Sequence, residues 1–249
     1  MLDPSGHPGW ENMARDEGLL DLADQGAVVL RLYRWSPPCL SFGRNEPALR
    51  RYDRDQIQSL GIDTVRRPTG GRAVWHADEL TYAMAAPLAA FGTLVRAYSR
   101  LHELLATALT RLGVPARVAP APSVPAGLAS GACFARTAGG EVVIGGRKVV
   151  GSAQVRRRDA FLQHGSLLLA GDQQLVTQVT RGAAPPDQSV SLSPIVRPPV
   201  TYSEAAAVIV EAARASFGPE AAYPPREPVD QAARTHRSRF QSDAWTSSR

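Results

Sequence analysis

Residues 141–150 read EVVIGGRKVV, two β-branched runs joined by Gly145-Gly146. A two-residue link can join only antiparallel neighbours, because parallel strands need a crossover of a dozen residues or more. The rest of the chain repeats the theme. VVLRLYRW (28–35) and LSFGR (40–44) flank Pro37-Pro38 and read as strand, turn, strand, so a hairpin or meander is expected there. IDTVRR (62–67), residues 79–86 and residues 160–169 add further strands. Between them lie helices. Asn12 is expected to cap a helix running to Ala23, with Met13, Leu19 and Leu20 turned inward. A short helix over 53–60 stops at Gly61. Leu94, Tyr98, Leu101, Leu105, Ala108 and Leu112 recur at intervals of three or four, predicting a core-facing helix over 93–112 that Gly113 ends. Thr201 with Glu204 three residues on predicts a capping box for a last helix to Phe217. This order implies an α/β chain of the α+β type: a mixed, largely antiparallel sheet with flanking helices, not a doubly wound parallel sheet. Neither GxGxxG nor GxxxxGK occurs, so nucleotide folds built on those loops are not expected.

With 249 residues the chain suits one catalytic domain over 1–223, followed by a polar, Pro-bearing, basic tail over 224–249 that is expected to be flexible. No apolar run approaches the roughly 18 residues of a membrane span, and the first residues carry no basic, apolar leader, so a cytoplasmic protein without membrane contact is expected. The charge balance is 28 basic against 23 acidic. Of the basic residues 27 are arginines and one is Lys148, a skew that fits codon bias. The triplet Arg156-Arg157-Arg158 has no aromatic beside it, so a nucleic-acid partner is not expected. Two cysteines, Cys39 and Cys133, support neither a disulfide framework nor a metal site.

Three stretches hold reactive chemistry. In RRPTGGRAVWHADELTY (66–82), Arg66 and Arg67 precede Gly70-Gly71, Arg72 and His76. Such a run suits a cradle for a phosphate-bearing arm, and equally a surface turn with solvated arginines. Cys133, in ACF after a long Pro, Gly and Ala loop, is either a nucleophile or a buried inert thiol. In GGRKVVGSAQVRRRDAFLQHGSLLL (145–169), Lys148 precedes Gly151, Ser152, Ala153 and Gln154, a cation beside small residues that leave room for a substrate. His164 in the next strand is a candidate ligand contact or a structural histidine.

Taken together, these stretches resemble the biotin/lipoate protein ligase superfamily, over roughly residues 12–169, and within it the octanoyl–acyl carrier protein:protein N-octanoyltransferases of the LipM type. The ATP-dependent lipoate ligases of that superfamily typically carry a third glycine where Arg72 stands, an acidic residue where Ala77 stands, and no cysteine at Cys133. The resemblance implies the catalytic-core fold of biotin protein ligase, related to class II synthetases. It implies that Cys133 takes an octanoyl group from acyl carrier protein as a thioester and passes it to a lysine of a lipoyl domain or glycine-cleavage H protein. Lys148 would hold the carbonyl or accept the amine's proton, with His76 and His164 as rival bases. The substrate would lie among Arg66, Arg67, Gly70, Gly71, Arg72, His76, Gly151, Ser152, Ala153, Gln154, His164 and Gly165. No metal and no ATP are implied. Two other readings stay open, an ATP-dependent lipoate–protein ligase and a non-catalytic module that docks acyl carrier protein. Cys39 is assigned to packing.

Overall fold

A computed structural model describes residues 1–120, 140–184, 186–218 and 226–248. It opens with a strand that the polar sequence LDPSGH did not signal, β1 (Leu2–His7), followed by α1 (Gly9–Asp24) and β2 (Val29–Trp35). β1 exists because β2 offers it an edge. Leu2 pairs with Leu32 in parallel register, and the Met1 ammonium donates to Leu30 O at 2.6 Å. α1 starts at Gly9 behind Pro8, so Asn12 lies inside the helix and is not its cap. Its side-chain amide donates to the carbonyls of His7 and Arg34 at 3.1 and 3.0 Å, tying the helix to the strand ends.

The expected meander at Pro37-Pro38 does not form. Neither proline can donate to a ladder, and the chain leaves for a second sheet. There β3 (Cys39–Phe42) lies between β4 (Asp63–Arg66), to which it is parallel, and β5 (Val74–His76), to which it is antiparallel. Short helices α2 (Ala48–Arg51) and α3 (Arg54–Ser59) lie between β3 and β4, α3 capped by the Asp53 carboxylate. Next come β6 (Glu79–Pro87) and α4 (Leu94–Arg111), the amphipathic helix the periodicity predicts, capped by Thr93. β7 (Arg117–Val118), β8 (Val142–Ile144) and β9 (Arg147–Lys148) make a small third sheet whose last two strands are the predicted hairpin. β10 (Val150–Arg157) and β11 (Ala160–Leu168) complete the main sheet, in the order β1-β2-β6-β11-β10, antiparallel except for β1 with β2.

β6 and β11 are buried along nearly their whole length, as central strands covered on both faces must be. Alternate side chains divide between two cores. Leu80 and Tyr82 pack toward α4 and α6 (Tyr202–Phe217), whereas Ala83 and Ala85 pack toward α1. α6 carries the predicted capping box of Thr201 and Glu204. Before it lies the short α5 (Gln174–Gln178).

The tail corrects the sequence expectation. Residues 226–248 form α7 (Arg226–Arg234), α8 (Arg237–Phe240) and α9 (Asp243–Thr246), and Val229, Ala233 and Phe240 are buried against α1. Gly18 of α1 permits this approach, since a Cβ there would come within 2.8 Å of the Ala233 nitrogen. The acidic face of α1 attracts the basic segment: Asp21 pairs with His236 at 2.5 Å, Glu11 with Arg237 at 3.1 Å and Glu17 with Arg239 at 3.5 Å. Among the described residues no helix is long and apolar enough to cross a membrane, and no cluster of His, Cys, Asp and Glu is arranged to hold a metal ion.

Candidate functional site

β10 and β11 pair Gly151 with Ser166, Ser152 with Gly165 and Ala153 with His164. These residues form one wall of a narrow cleft of about 20 Å³, open at its mouth, completed by Met13 of α1, Tyr33 and Trp35 of β2, and Arg67, Val74 and His76. Only glycine fits at position 165. A Cβ there would lie 2.6 Å from Gly151 O and Ser152 Oγ and 2.8 Å from the Tyr82 ring. The Gly70-Gly71 turn reaches over from the second sheet, and Gly43 is pressed so closely to it that a Cβ would meet Gly71 O at 2.0 Å.

Buried polar residues frame the cleft in three networks. In the first, Glu79 Oε1 accepts from His76 Nδ1 at 2.8 Å, from Ser166 at 2.9 Å and from Thr81, while Trp35 Nε1 donates to Thr81 at 2.7 Å. His76 also stacks on Trp35 with ring centres 3.9 Å apart. Its Nε2 faces Ser41 Oγ at 2.6 Å, and Arg67 donates to that same hydroxyl. In the second, Asp16 accepts from His164 Nδ1 at 2.9 Å, Tyr33 at 2.8 Å and Arg31 at 3.0 Å, and Thr69 bonds His164 Nε2 at 2.6 Å. The third joins His102 of α4 to Ser152, Tyr82, Gln163 and Gln154. Both nitrogens of each of these three histidines are therefore already bonded inside the protein.

The sequence candidates separate accordingly. Arg67, His76, Gly151, Ser152, Ala153, His164 and Gly165 line the cleft, and Gly71 lies over Arg67 and Ala153. Arg66 does not, and the expectation of a basic docking face is corrected there. Its fully buried guanidinium donates to Gly43 O at 2.7 Å, Glu46 O at 2.9 Å, Trp245 O at 3.1 Å and Thr246 O at 3.2 Å, locking the tail against the second sheet. Arg67 is also buried and holds the turn from within, donating to Ser41 O at 2.9 Å, Gly70 O at 3.2 Å and Arg72 O at 2.8 Å. Arg72 is half-buried. Gln154 braces the wall from behind by donating to Leu94 O at 3.1 Å. Lys148 is buried on β9 with Nζ donating to the Glu141 carboxylate. Cys133 lies outside the described residues. A larger cavity of about 310 Å³ beside Tyr52, Ile57 and Asp243 is lined by no His, Cys or Lys and offers no comparable chemistry.

The sequence reading missed Asp16, Ser41, Glu79 and His102. A signal existed for two of them: Asp16 lies three residues after Met13, and His102 lies four after Tyr98, on helix faces marked as inward, where a polar residue must find a partner.

Burial pushes both His76 and His102 down, and His102 falls to about 4, opposed by its bond to Gly140 O and assisted by the Lys148 charge. The unfolded chain takes up protons on these rings below pH 6.5 and the fold does not, so stability is full above that pH and declines on acidification toward 4. His102 alone makes this decline about 2 kcal/mol between pH 7 and 5. Urea midpoints at the two pH values check it, and a flat profile there would refute the neutral assignment.

Residues 8–214 match the family described as the lipoyl protein ligase A/B catalytic domain. The octanoyltransferase LipM of Carboxydothermus hydrogenoformans is 40% identical over 177 residues, 69% of this chain and 65% of its own length. That of Symbiobacterium thermophilum is 39% identical over 189 residues, 73% of this chain and 69% of its own. The chain thus spans about two thirds of the length of these relatives. The crystal structure of lipoate-protein ligase A bound with ATP superposes with a TM-score of 0.80 at 20% identity, covering 99% of this chain and 97% of that one. Protein Ta0514 from T. acidophilum, a putative lipoate protein ligase with bound lipoic acid, gives 0.78 at 19% identity, covering 99% and 96%. At such identity these two likenesses establish the fold.

Proposed function

Because the chain belongs to the lipoyl protein ligase A/B catalytic domain family, we propose that it is an octanoyltransferase of lipoate biosynthesis. It moves an octanoyl group from acyl carrier protein, through a Cys133 thioester, to a lysine of a lipoyl domain or glycine-cleavage H protein. The observation that carries this reading is the identity of about 40% to proteins named octanoyltransferase LipM. The lining of the cleft supports it, since Met13, Val74 and the small residues Gly151, Ala153 and Gly165 present apolar and small surface to an alkyl chain.

In the first half-reaction the Cys133 thiolate attacks the thioester carbonyl, the bond to the phosphopantetheine sulfur breaks, and that thiol leaves with the proton Cys133 gave up. In the second, the acceptor amine attacks the new thioester, loses a proton, and releases the Cys133 thiol as the amide forms. Thioester exchange is nearly isoenergetic and amide formation runs downhill, so a nucleophilic cysteine makes ATP unnecessary. Lys148 is the group for the developing oxyanion, and buried Glu141 supplies its counter-ion. His76 and His164, whose ring nitrogens are all bonded, are disfavoured as bases.

With Arg66 and Arg67 turned inward, the phosphate of the carrier arm is assigned to Arg72 and to exposed Arg44, whose backbone N–H bonds Thr69 O at 2.8 Å next to the Gly70-Gly71 turn. Arg72→Glu is expected to weaken carrier binding about tenfold at low salt, and less at high salt because exposed charges are screened. Titration calorimetry at two ionic strengths reads both effects. The reading as a whole is tested by intact-mass analysis of the protein mixed with octanoyl–acyl carrier protein and no ATP, followed by addition of an unmodified lipoyl domain. One octanoyl mass on the protein and then on the domain is expected. A strict demand for ATP and free lipoate would replace transfer with ligation.

A further inference from the structure

The hydrogen bonds that join α4 to the cleft wall have a direction, and one atom sets it. The Gly140 carbonyl can only accept, so the nitrogen bonded to it, Nδ1 of His102, carries the hydrogen. His102 is fully buried, and burial keeps its ring neutral, which leaves Nε2 as a lone-pair acceptor. Ser152 Oγ lies 2.7 Å from that lone pair and must donate to it. With its hydrogen so engaged, Ser152 accepts from Tyr82 OH at 2.9 Å, and Tyr82 accepts from Gln163 Nε2 at 2.8 Å. Gln163 Oε1 in turn accepts from Gln154 Nε2, whose second hydrogen goes to Leu94 O. Every hydroxyl hydrogen in this chain points along the wall and none into the cleft that Ser152 lines.

We propose that His102 is a positioning residue that sets acyl-chain polarity: by taking the Ser152 hydrogen, it makes this face of the cleft accept hydrocarbon and withhold a hydrogen-bond donor from any polar substituent on the chain. The inference rests on the octanoyl reading of the cleft. Its energetic basis is the asymmetry of buried hydrogen bonds. A hydroxyl carried into this wall by an acyl chain finds no donor for its oxygen, whereas a Ser152 hydrogen released into the cleft would face alkyl carbon; each mismatch corresponds to about tenfold or more in binding.

The test compares loading of Cys133 from octanoyl–acyl carrier protein with loading from the positional isomers of hydroxyoctanoyl–acyl carrier protein. The wild type is expected to prefer octanoyl at least tenfold in kcat/KM over each isomer. His102→Asn keeps a donor for Gly140 O and removes the acceptor for Ser152, and is expected to reduce that preference at least fivefold against one or more isomers, with the change carried by KM. Ser152→Ala leaves α4 and His102 intact and presents the Nε2 lone pair to the cleft. It is expected to reduce the same preference, and it serves if His102→Asn does not fold. A purely structural role for His102 would lower kcat for all substrates and leave their ratio unmoved, which would overturn the proposal. Nitrogen NMR of histidine-labelled wild-type protein gives an independent readout. The Nδ1–H tautomer is expected, and an Nε2–H tautomer overturns the inference whether or not the protein transfers octanoate. Absence of any octanoyl loading by the wild type would instead sink the octanoyl reading and leave the tautomer to decide the wall's polarity.

Discussion

Mixed with octanoyl–acyl carrier protein in the absence of ATP, Cys133→Ala is expected to gain no mass, while the wild type and Cys39→Ala each gain one octanoyl group that hydroxylamine removes at neutral pH. The contrast rests on thiolate chemistry. Cys39 lies on β3 with no exposed surface, and burial, reinforced by the charges of Asp63 and Glu79, pushes its thiol well above the ordinary range. A thiol in that state supplies no nucleophile at neutral pH. The transfer activity of Cys133→Ala should fall to background. Cys133→Ser is expected to load more slowly and hold its ester longer, because an alkoxide is the poorer leaving group. Full transfer by Cys133→Ala, followed by mass spectrometry, would end the covalent mechanism.

Replacing Lys148 is expected to cost the next largest factor, about 10²- to 10³-fold in loading, the usual consequence of removing a donor aimed at an oxyanion. The fold complicates the simplest variant. Lys148 and Glu141 are a buried ion pair, and removing the ammonium alone strands a carboxylate in the interior, a loss of about 3 to 5 kcal/mol in stability. The informative comparison is therefore Lys148→Met combined with Glu141→Gln, which removes both charges. Lys148→Arg keeps the charge and cannot release a proton at neutral pH, so it is expected to slow transfer to the amine more than loading of Cys133. Rapid-quench measurement of each half-reaction separates the two roles. Equal losses would confine Lys148 to holding the oxyanion.

Which parts of this molecule were legible in advance depended on the range over which each signal acts. The stripe from Leu94 to Leu112, the Gly145-Gly146 turn and the Thr201–Glu204 capping box all appear where their local patterns place them. Each is decided within a few residues by backbone geometry, hydrogen-bond capping or the spacing of apolar side chains. The tail was misread although Val229 and Ala233 stand four apart, as an inward helix face should. Its polar composition outweighed that pair, because a helix that buries a narrow stripe against an acidic neighbour reads, taken alone, as solvated chain.

The sequence by itself determined the fold class through strand order and turn chemistry, and it carried the family and most of the candidates that meet in the cleft through the resemblance of its motif residues. Tertiary structure alone decided what the charged groups do. Arg66 and Arg67 are neighbours in sequence, yet Arg67 braces the cleft while Arg66 faces away to carbonyls 20 to 180 residues distant. His102, hidden in an apolar helix face, received its role from Gly140 and Ser152 on other elements. The physical reason is that apolar periodicity is a property of one segment. The partner that satisfies a buried donor or charge is a property of whichever distant segment the fold brings within 3 Å, and no local pattern records it.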